Sequence, residues 1–456
     1  MWPKNSPPQA FRARRERLTA KLAEPALLAS GFARPRNFPN NRFPFRAESH
    51  FLYLIGRHIE GAGLLLRPEG AVLYAPAPDP AEAMWTGPAP SLDALAKELE
   101  IEVRSVDDLA VPAGTATLPA QDLETTVWLA EALDRDLEAG GGADVEGADL
   151  RLAEAMIETR LSHDEAAVAQ LRQAAEATAD AHVAGMAATE PGLREADVRA
   201  AMEARIIASG MTCSYGSIVT VHGEVLHNET HTHRLGERDL VLADVGAETP
   251  EGWAGDVTRT WPTTGRFSST QRALYEAVLS AQRAALERVG PGVRYLDVHR
   301  AAGHALVAAL VELGIFRGDP EDLYARGAAG VFFPHGVGHL LGLDVHDMED
   351  LGDRAGYAAG RSRAESRGDR FLRLDRDLAP GMAVTIEPGF YQIRQILENA
   401  EELGDVADAL NTAELARFAD VRGIRIEDDV LITETGSEVL TAAIPKTIAE
   451  VEAAVR

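Results

Sequence analysis

The sequence predicts an α+β protein of two domains: a smaller mixed α/β N-terminal domain over residues 1–155 and a larger C-terminal domain over 156–456. Three observations carry this expectation. The 456 residues exceed one average domain. Short apolar runs broken by Gly and Pro fill much of the first third, whereas long helical patterns alternate with isolated strand-like segments afterwards. The run Gly140-Gly141-Gly142 marks the passage between the two regions.

Taken in order, FLYLIG, GAGLLLRPEG and AVLYAP between Phe51 and Ala75 read as strands, and residues 91–100 and 124–136 have helical spacing. Beyond the glycines, Ser162 and Glu165 form a capping-box signature. It opens a helix expected to reach Thr189, where Pro191-Gly192 stops it. A second helix is expected over 193–209, with Gly210 placed to terminate it. Two more fall at 270–289 and 296–313. Strands are expected at 216–221, 239–246, 253–261, 383–387 and 423–433, giving helices packed on a largely antiparallel sheet. Residues 348–370 read as a long mobile loop, and 392–422 as a helical insertion with Asn411 and Glu414 as a further capping pair.

Charge excludes some partners. Lys+Arg number 45 and Asp+Glu 71, a formal net charge of −26. Such a surface repels phosphate backbones and anionic lipid, so neither nucleic acid nor a membrane is an expected partner. The one cysteine, Cys213, suits a reducing compartment. The first residues lack the apolar stretch of a signal peptide, and no run of about 18 apolar residues occurs. A cytoplasmic location is the expectation.

Four segments concentrate chemistry-bearing residues. In DLVLADVGAETPEGWAGDVTRTWP, Leu240, Leu242 and Asp244 share a strand face, and a hairpin would return Asp256 on a second strand to the same sheet end. Two solvated aspartates would give the same pattern. In FFPHGVGHLLGLDVHD, His335, His339 and His346 lie close together, and Gly336 and Gly338 disfavour the helix that a helical zinc motif needs. In AVTIEPGFY, Glu387 ends an apolar strand, where a carboxylate is costly unless paired or bound to metal. In GIRIEDDVLIT, Arg425 and Glu427 alternate with apolar neighbours and would share a face as partners, although an exposed edge strand is also compatible. Asp244, Asp256, His339, Glu387 and Glu427 together supply four carboxylates and one imidazole. Gathered without cations they would repel one another. Two divalent cations would neutralise them, and oxygen-rich ligation with one imidazole suits Mn²⁺. Two such ions about 3.5–4 Å apart can hold a water between them and activate it as hydroxide.

These motifs resemble the pita-bread (creatinase/aminopeptidase-like) metallopeptidases, a family that includes Xaa-Pro aminopeptidase, prolidase and methionine aminopeptidase. ADVG, AGDVTRTWP, HGVGHLLGLDVHD, TIEPGFY and RIEDD match it in order and type. FPFRAESHFLYLIG and Trp85 resemble the N-terminal domain of its proline-specific branch. The resemblance implies that Asp244 binds one metal, that Asp256 and Glu427 bridge the pair, and that His339 and Glu387 bind the second. It makes Glu387 a candidate general base, places His227 and His346 on the substrate and its tetrahedral intermediate, and makes His335 a pocket histidine. Mn²⁺ is the implied ion, with Co²⁺ or Zn²⁺ as substitutes, and a homodimer or homotetramer the implied assembly. His222, His231 and His233 read as loop histidines.

The expected substrates are proline-containing dipeptides or short peptides. Arg373, fourteen residues before Glu387 in FLRLDRDLAPGM, resembles an arginine with which prolidases hold the dipeptide carboxylate. A surface arginine is the alternative. The expectation is a Xaa-Pro dipeptidase, with Xaa-Pro aminopeptidase as the alternative and a metal-free binding module as a third, disfavoured because all five ligand positions carry competent donors. Two departures stand out. The Asp244–Asp256 spacing is one residue longer than the family pattern, and His50 occupies a place where many aminopeptidase P sequences carry Asp.

Overall fold

The computed structural model of the chain describes residues 3–455. Leu64, Leu65 and Leu66 are fully buried, and such an unbroken apolar run needs a sheet covered on both faces. They lie in the first of two units, which comprises residues 4–167 and 348–355. Five of its strands are β1 (Ala26–Ala29), β2 (Gly63–Arg67), β3 (Gly70–Ala75), β4 (Glu102–Ser105) and β5 (Ala116–Thr117). They form one sheet in the order β4-β3-β2-β1-β5, antiparallel at its centre and parallel at both edges. Around it run α1 (Pro8–Thr19), α2 (Ser49–Ile55), α3 (Leu92–Leu99), α4 (Leu123–Leu133) and α5 (Gly147–Arg160).

Two expectations change here. FLYLIG is helical, not a strand: it lies in α2, which Glu48 caps by accepting from His50 N and Phe51 N and which Gly56 ends at φ +70°. Every residue of α2 is buried, so no polar face betrays the helical period. The units part at 167/168 instead of 155/156, because α5 belongs with the first. Asp149 of α5 accepts Thr117 N at 2.8 Å and pairs with Arg135.

Within this unit His50 links α2 to two other segments. Its Nδ1 faces Arg160 Nη1 at 2.7 Å and its Nε2 faces Asp350 Oδ2 at 2.9 Å. A guanidinium only donates, so Nδ1 accepts and the proton sits on Nε2. Arg354 donates to Gly142 O and Ala143 O, each at 2.8 Å. The expected loop 348–370 is therefore divided, its first third packing with the first unit.

The second unit holds residues 168–347 and 356 onward. The four long helices follow the expected bounds closely: α6 (Glu165–Ala187), α7 (Glu195–Ala208), α8 (Ser269–Arg288) and α9 (Tyr295–Glu312). Gly210 has φ +78° just beyond α7. The strands near the candidate site are β6 (Ile218–Thr220), β7 (Leu240–Asp244), β8 (Thr258–Pro262), β9 (Ala383–Ile386), β10 (Gly389–Tyr391), β11 (Gly423–Arg425), β12 (Asp428–Ile432) and β13 (Ser437–Val439). They pair antiparallel as β8-β7-β6, β9-β12-β13 and β10-β11. Residues 392–422 carry short helices, and Asn411 caps the one at Thr412–Leu415. Arg259 and Asp428, both with fully buried side chains, pair at 2.7 Å, and Lys446 also reaches Asp428. Among the described residues no helix is long and apolar enough to cross a membrane.

Candidate metal centre

Strand pairing gathers the candidate ligands. Asp244 ends β7 opposite Thr258, the first residue of β8. Asp256 lies two residues before β8, in irregular chain and not on the second strand that its spacing suggested. Its N–H points at the buried Asp429 carboxylate (3.2 and 3.3 Å), which fixes it beside β12. Glu427 occupies the break between β11 and β12, with its N–H on Thr258 O at 3.0 Å. Glu387 occupies the break between β9 and β10, with its N–H on Val337 O at 2.7 Å. Thr385 N donates to His339 O, so the histidine segment runs beside β9. Gly338 is required there: at φ +152° a Cβ would stand 2.2 Å from Thr385 O.

The result is a cavity of about 370 Å³ whose wall includes all five predicted ligands, Asp244, Asp256, His339, Glu387 and Glu427. It also includes the other predicted site residues His227, His335, His346, Arg373 and Arg425. His339 donates Nδ1–H to Leu340 O at 3.0 Å, which aims Nε2 at Asp256 Oδ2 (3.4 Å) and Glu387 Oε1 (3.6 Å). The His346 ring lies against that of His339, centroids 4.0 Å apart.

Electrostatics favour cations. Burial, reinforced by the Asp256, Glu387 and Asp244 carboxylates, drives Glu427 well above the usual carboxylate range. Burial also pushes Glu387 up to about 7, against the pull of His339 and Arg425. Asp244 is raised by burial, with Arg425 opposing. Burial would lower His339, but Asp256 and Glu387 raise it to about 9. The same bond to His339 brings Asp256 below its ordinary value despite burial.

The donor set fits divalent metal. Ligand atoms of Asp256, His339 and Glu427, all buried, lie within 4.8 Å of one another. Glu427 Oε1 is buried with no hydrogen-bond partner among the described residues, an expensive state that a cation would relieve. Asp244 and Glu387 extend the same carboxylate wall.

The partner expected for Arg425 is corrected. It does not pair with Glu427; its Nη2 meets Asp244 Oδ2 at 2.6 Å, Nε donates to Thr258 Oγ1 at 2.8 Å and Nη1 to Tyr391 Oη at 3.0 Å. The β11–β12 break ends the alternation that a continuous strand would have kept. Tyr391 in turn donates to His335 Nε2 (2.9 Å), since His335 Nδ1 donates to Gly336 O. Burial and the nearby Arg425 lower His335 to about 3, so this ring is neutral.

Several site residues were missed in the sequence. The Tyr215 hydroxyl contacts both Asp244 Oδ1 and Asp256 Oδ1. Thr258 donates to Glu427 Oε2 at 2.8 Å. Thr258 lay within a quoted motif, whereas Tyr215 had no neighbouring signal beyond the strand following it. Of the loop histidines, His233 serves the fully buried Glu195, which accepts both its N–H and its Nδ1 at 3.0 Å.

A mixed helix-and-sheet unit with a carboxylate-rich centre suits a metal-dependent enzyme, and comparison specifies its class. The chain belongs to metallopeptidase family M24, whose profile matches residues 169–434, preceded by an aminopeptidase P N-terminal domain over 11–117. It is thus a metal-dependent hydrolase of the pita-bread, proline-specific branch. A probable Xaa-Pro aminopeptidase PEPP of Coccidioides posadasii is 31% identical over 90% of this chain and 87% of its own. A human Xaa-Pro dipeptidase is 31% identical over 90% of this chain and 84% of its own. An Escherichia coli aminopeptidase P solved with substrate superposes with TM-score 0.81 and 30% identity, over 99% of both chains.

Proposed function

We propose that this chain is a Xaa-Pro dipeptidase that hydrolyses the bond before proline with two divalent cations, Mn²⁺ foremost, held by Asp244, Asp256, His339, Glu387 and Glu427. Asp244, Asp256, His339, Glu387 and Glu427, which line one cavity, would hold the ions between them. When bound, the ions would polarise the scissile carbonyl and make water acidic enough to be a nucleophile near neutral pH. Glu387, on the wall of the same cavity, is the candidate general base for the attacking water. His227 and His346 line the same cavity and donate to the oxygen on which negative charge develops. Arg425 favours the ionised form of Asp244 against the burial that opposes it, and is itself oriented by its bonds to Thr258 and Tyr391. His335 closes the proline side as a neutral ring.

One observation carries the dipeptidase reading: Arg373 lines the cavity that also contains Asp244, Glu387 and Glu427. A guanidinium in the wall of a peptidase cavity suits a free carboxylate one residue beyond the scissile bond. The likeness to aminopeptidase P structures supports the second reading, a Xaa-Pro aminopeptidase acting on longer peptides. Turnover of Gly-Pro and of a Xaa-Pro-Xaa tripeptide at fixed Mn²⁺ separates them. Preference for Gly-Pro is expected; a strong preference for the tripeptide rejects the dipeptidase.

A further inference from the structure

His227 lines the cavity, yet its exposed imidazole makes no hydrogen bond among the described residues. Its aim therefore depends on the chain to either side. Leu226, just before it, packs against Ile218, Leu242 and Tyr391. Asn228, just after it, is buried and joined to a chain of polar groups. That chain starts at Glu195, the first residue of α7 and fully buried. Glu195 Oε1 accepts from Thr220 Oγ1 (3.0 Å) and Val221 N (2.9 Å), and Oε2 from His233 N and Nδ1 (both 3.0 Å). Four donors thus stabilise one buried carboxylate, and the two ends of the loop between β6 and His233 converge on it. Thr220 Oγ1 in turn accepts from His222 N and from Asn228 Nδ2, each at 2.9 Å. Asn228 Oδ1 accepts from Thr230 N (3.0 Å) and Thr230 Oγ1 (2.8 Å).

The members fix the polarity of this chain. A carboxylate surrounded by four donors accepts only, so the single hydroxyl proton of Thr220 goes to Glu195. Its lone pairs are left for two N–H donors. The Asn228 amide must then present its nitrogen to Thr220 and its oxygen to Thr230. We propose that Asn228 is a positioning residue for His227: anchored through Thr220 to Glu195, it holds the loop so that the adjacent imidazole faces the substrate oxygen on which charge develops. This inference rests on the reading of His227 as a donor to that oxygen and adds what aims it. Released from Thr220, the loop would let the ring turn toward solvent, and misplacing a catalytic group by about 1 Å costs on the order of 100-fold in rate.

The test uses the Mn²⁺-loaded enzyme and whichever Xaa-Pro substrate the wild type turns over faster. Thr220→Val keeps the β-branched shape in β6 and removes the hydroxyl; Asn228→Ala removes the amide. Each is expected to lower kcat ~10- to 100-fold with KM nearly unchanged, because the lost contact forms only in the transition state. Thr220→Ser keeps the hydroxyl and should recover most of that loss. A double variant separates aiming from bracing. His227→Ala should itself be ~100-fold slower, and adding Asn228→Ala to it should cost only ~2- to 3-fold more, since the aimed group is already gone. An equal, independent loss in the double variant overturns the proposal, as does a loss of bound Mn²⁺ that parallels the loss of activity. If His227→Ala slows turnover while Asn228→Ala and Thr220→Val do not, only the positioning role falls. If His227→Ala leaves kcat unchanged, the donor reading falls, and the positioning role with it.

Discussion

Arg425 shows how one side chain organises the centre. Three donors of a rigid fork reach Asp244, Thr258 and Tyr391, and Tyr391 passes the chain on to His335, whose tautomer the Gly336 carbonyl sets. Lysine could satisfy one of these partners but not all three. Arg425→Lys is expected to weaken Mn²⁺ affinity ~10- to 100-fold, the usual cost of losing a group that orients a ligand; a metal titration measures it, and unchanged affinity would contradict the account. The proposed ligands carry protons when metal-free. At pH 7 His339, raised to about 9, is protonated, and Glu387, near 7, is about half so. Metal must displace those protons. Affinity should therefore climb between pH 6 and 8, with proton release visible as a buffer-dependent heat of binding. A flat profile would show that the ligands are already deprotonated.

At the level of elements, close approach and capping decide where the site falls. The segment carrying His339 runs against β9 only because Gly338 has no side chain. Gly338→Ala forces contact with Thr385 O and an unfavourable φ. It should lower both metal affinity and thermal stability, and a variant with native values for both would remove the close approach from the explanation. Asp164, immediately before helix α6, accepts Ala167 N at 2.9 Å and pairs with the buried Arg14 at 2.8 Å. Burial opposes its charge, but Arg14 outweighs this and holds the carboxyl well below the usual range. Asp164→Asn leaves Arg14 uncompensated and should cost about 2–3 kcal/mol, less than a wholly buried pair because Asp164 keeps 23% of its side chain exposed. A depressed carboxyl stabilises the fold above its unfolded pKa of ~3.9 and loses that contribution as pH falls. The gap in denaturation midpoint between wild type and variant should thus be full at pH 6 and narrow at pH 3.

For the whole molecule, stability and metal are linked. Glu387 and Glu427 have folded pKa values above their unfolded ones, so the metal-free fold is favoured at low pH and loses stability as pH rises through about 7 for Glu387. The raised His339 acts in the same direction up to about 9. Asp256 shifts the other way, but its window lies below ~4. Chelated protein should therefore melt at a lower temperature at pH 8 than at pH 6, and Mn²⁺ should raise the midpoint more at pH 8. Equal metal effects at both values would dissociate the carboxylate cluster from the ions.

The sequence by itself determined the four long helices of the second unit, because they are amphipathic, long and ended by Gly or Pro. It also determined the donor chemistry: Asp244, Asp256, His339, Glu387 and Glu427 sit in short motifs whose residue types suit hard cations. Residue pattern could not reveal that FLYLIG is a helix, since a fully buried helix and a buried strand look alike in a short apolar run. Nor could it supply partners. Tyr215 contacts Asp244 and Asp256 across strand β7, and Arg425 turns from Glu427 to Asp244, because the break between β11 and β12 changes which way each side chain faces. Such pairings are long-range, set by strand register and by interruptions in the ladder, and only the tertiary structure decides them.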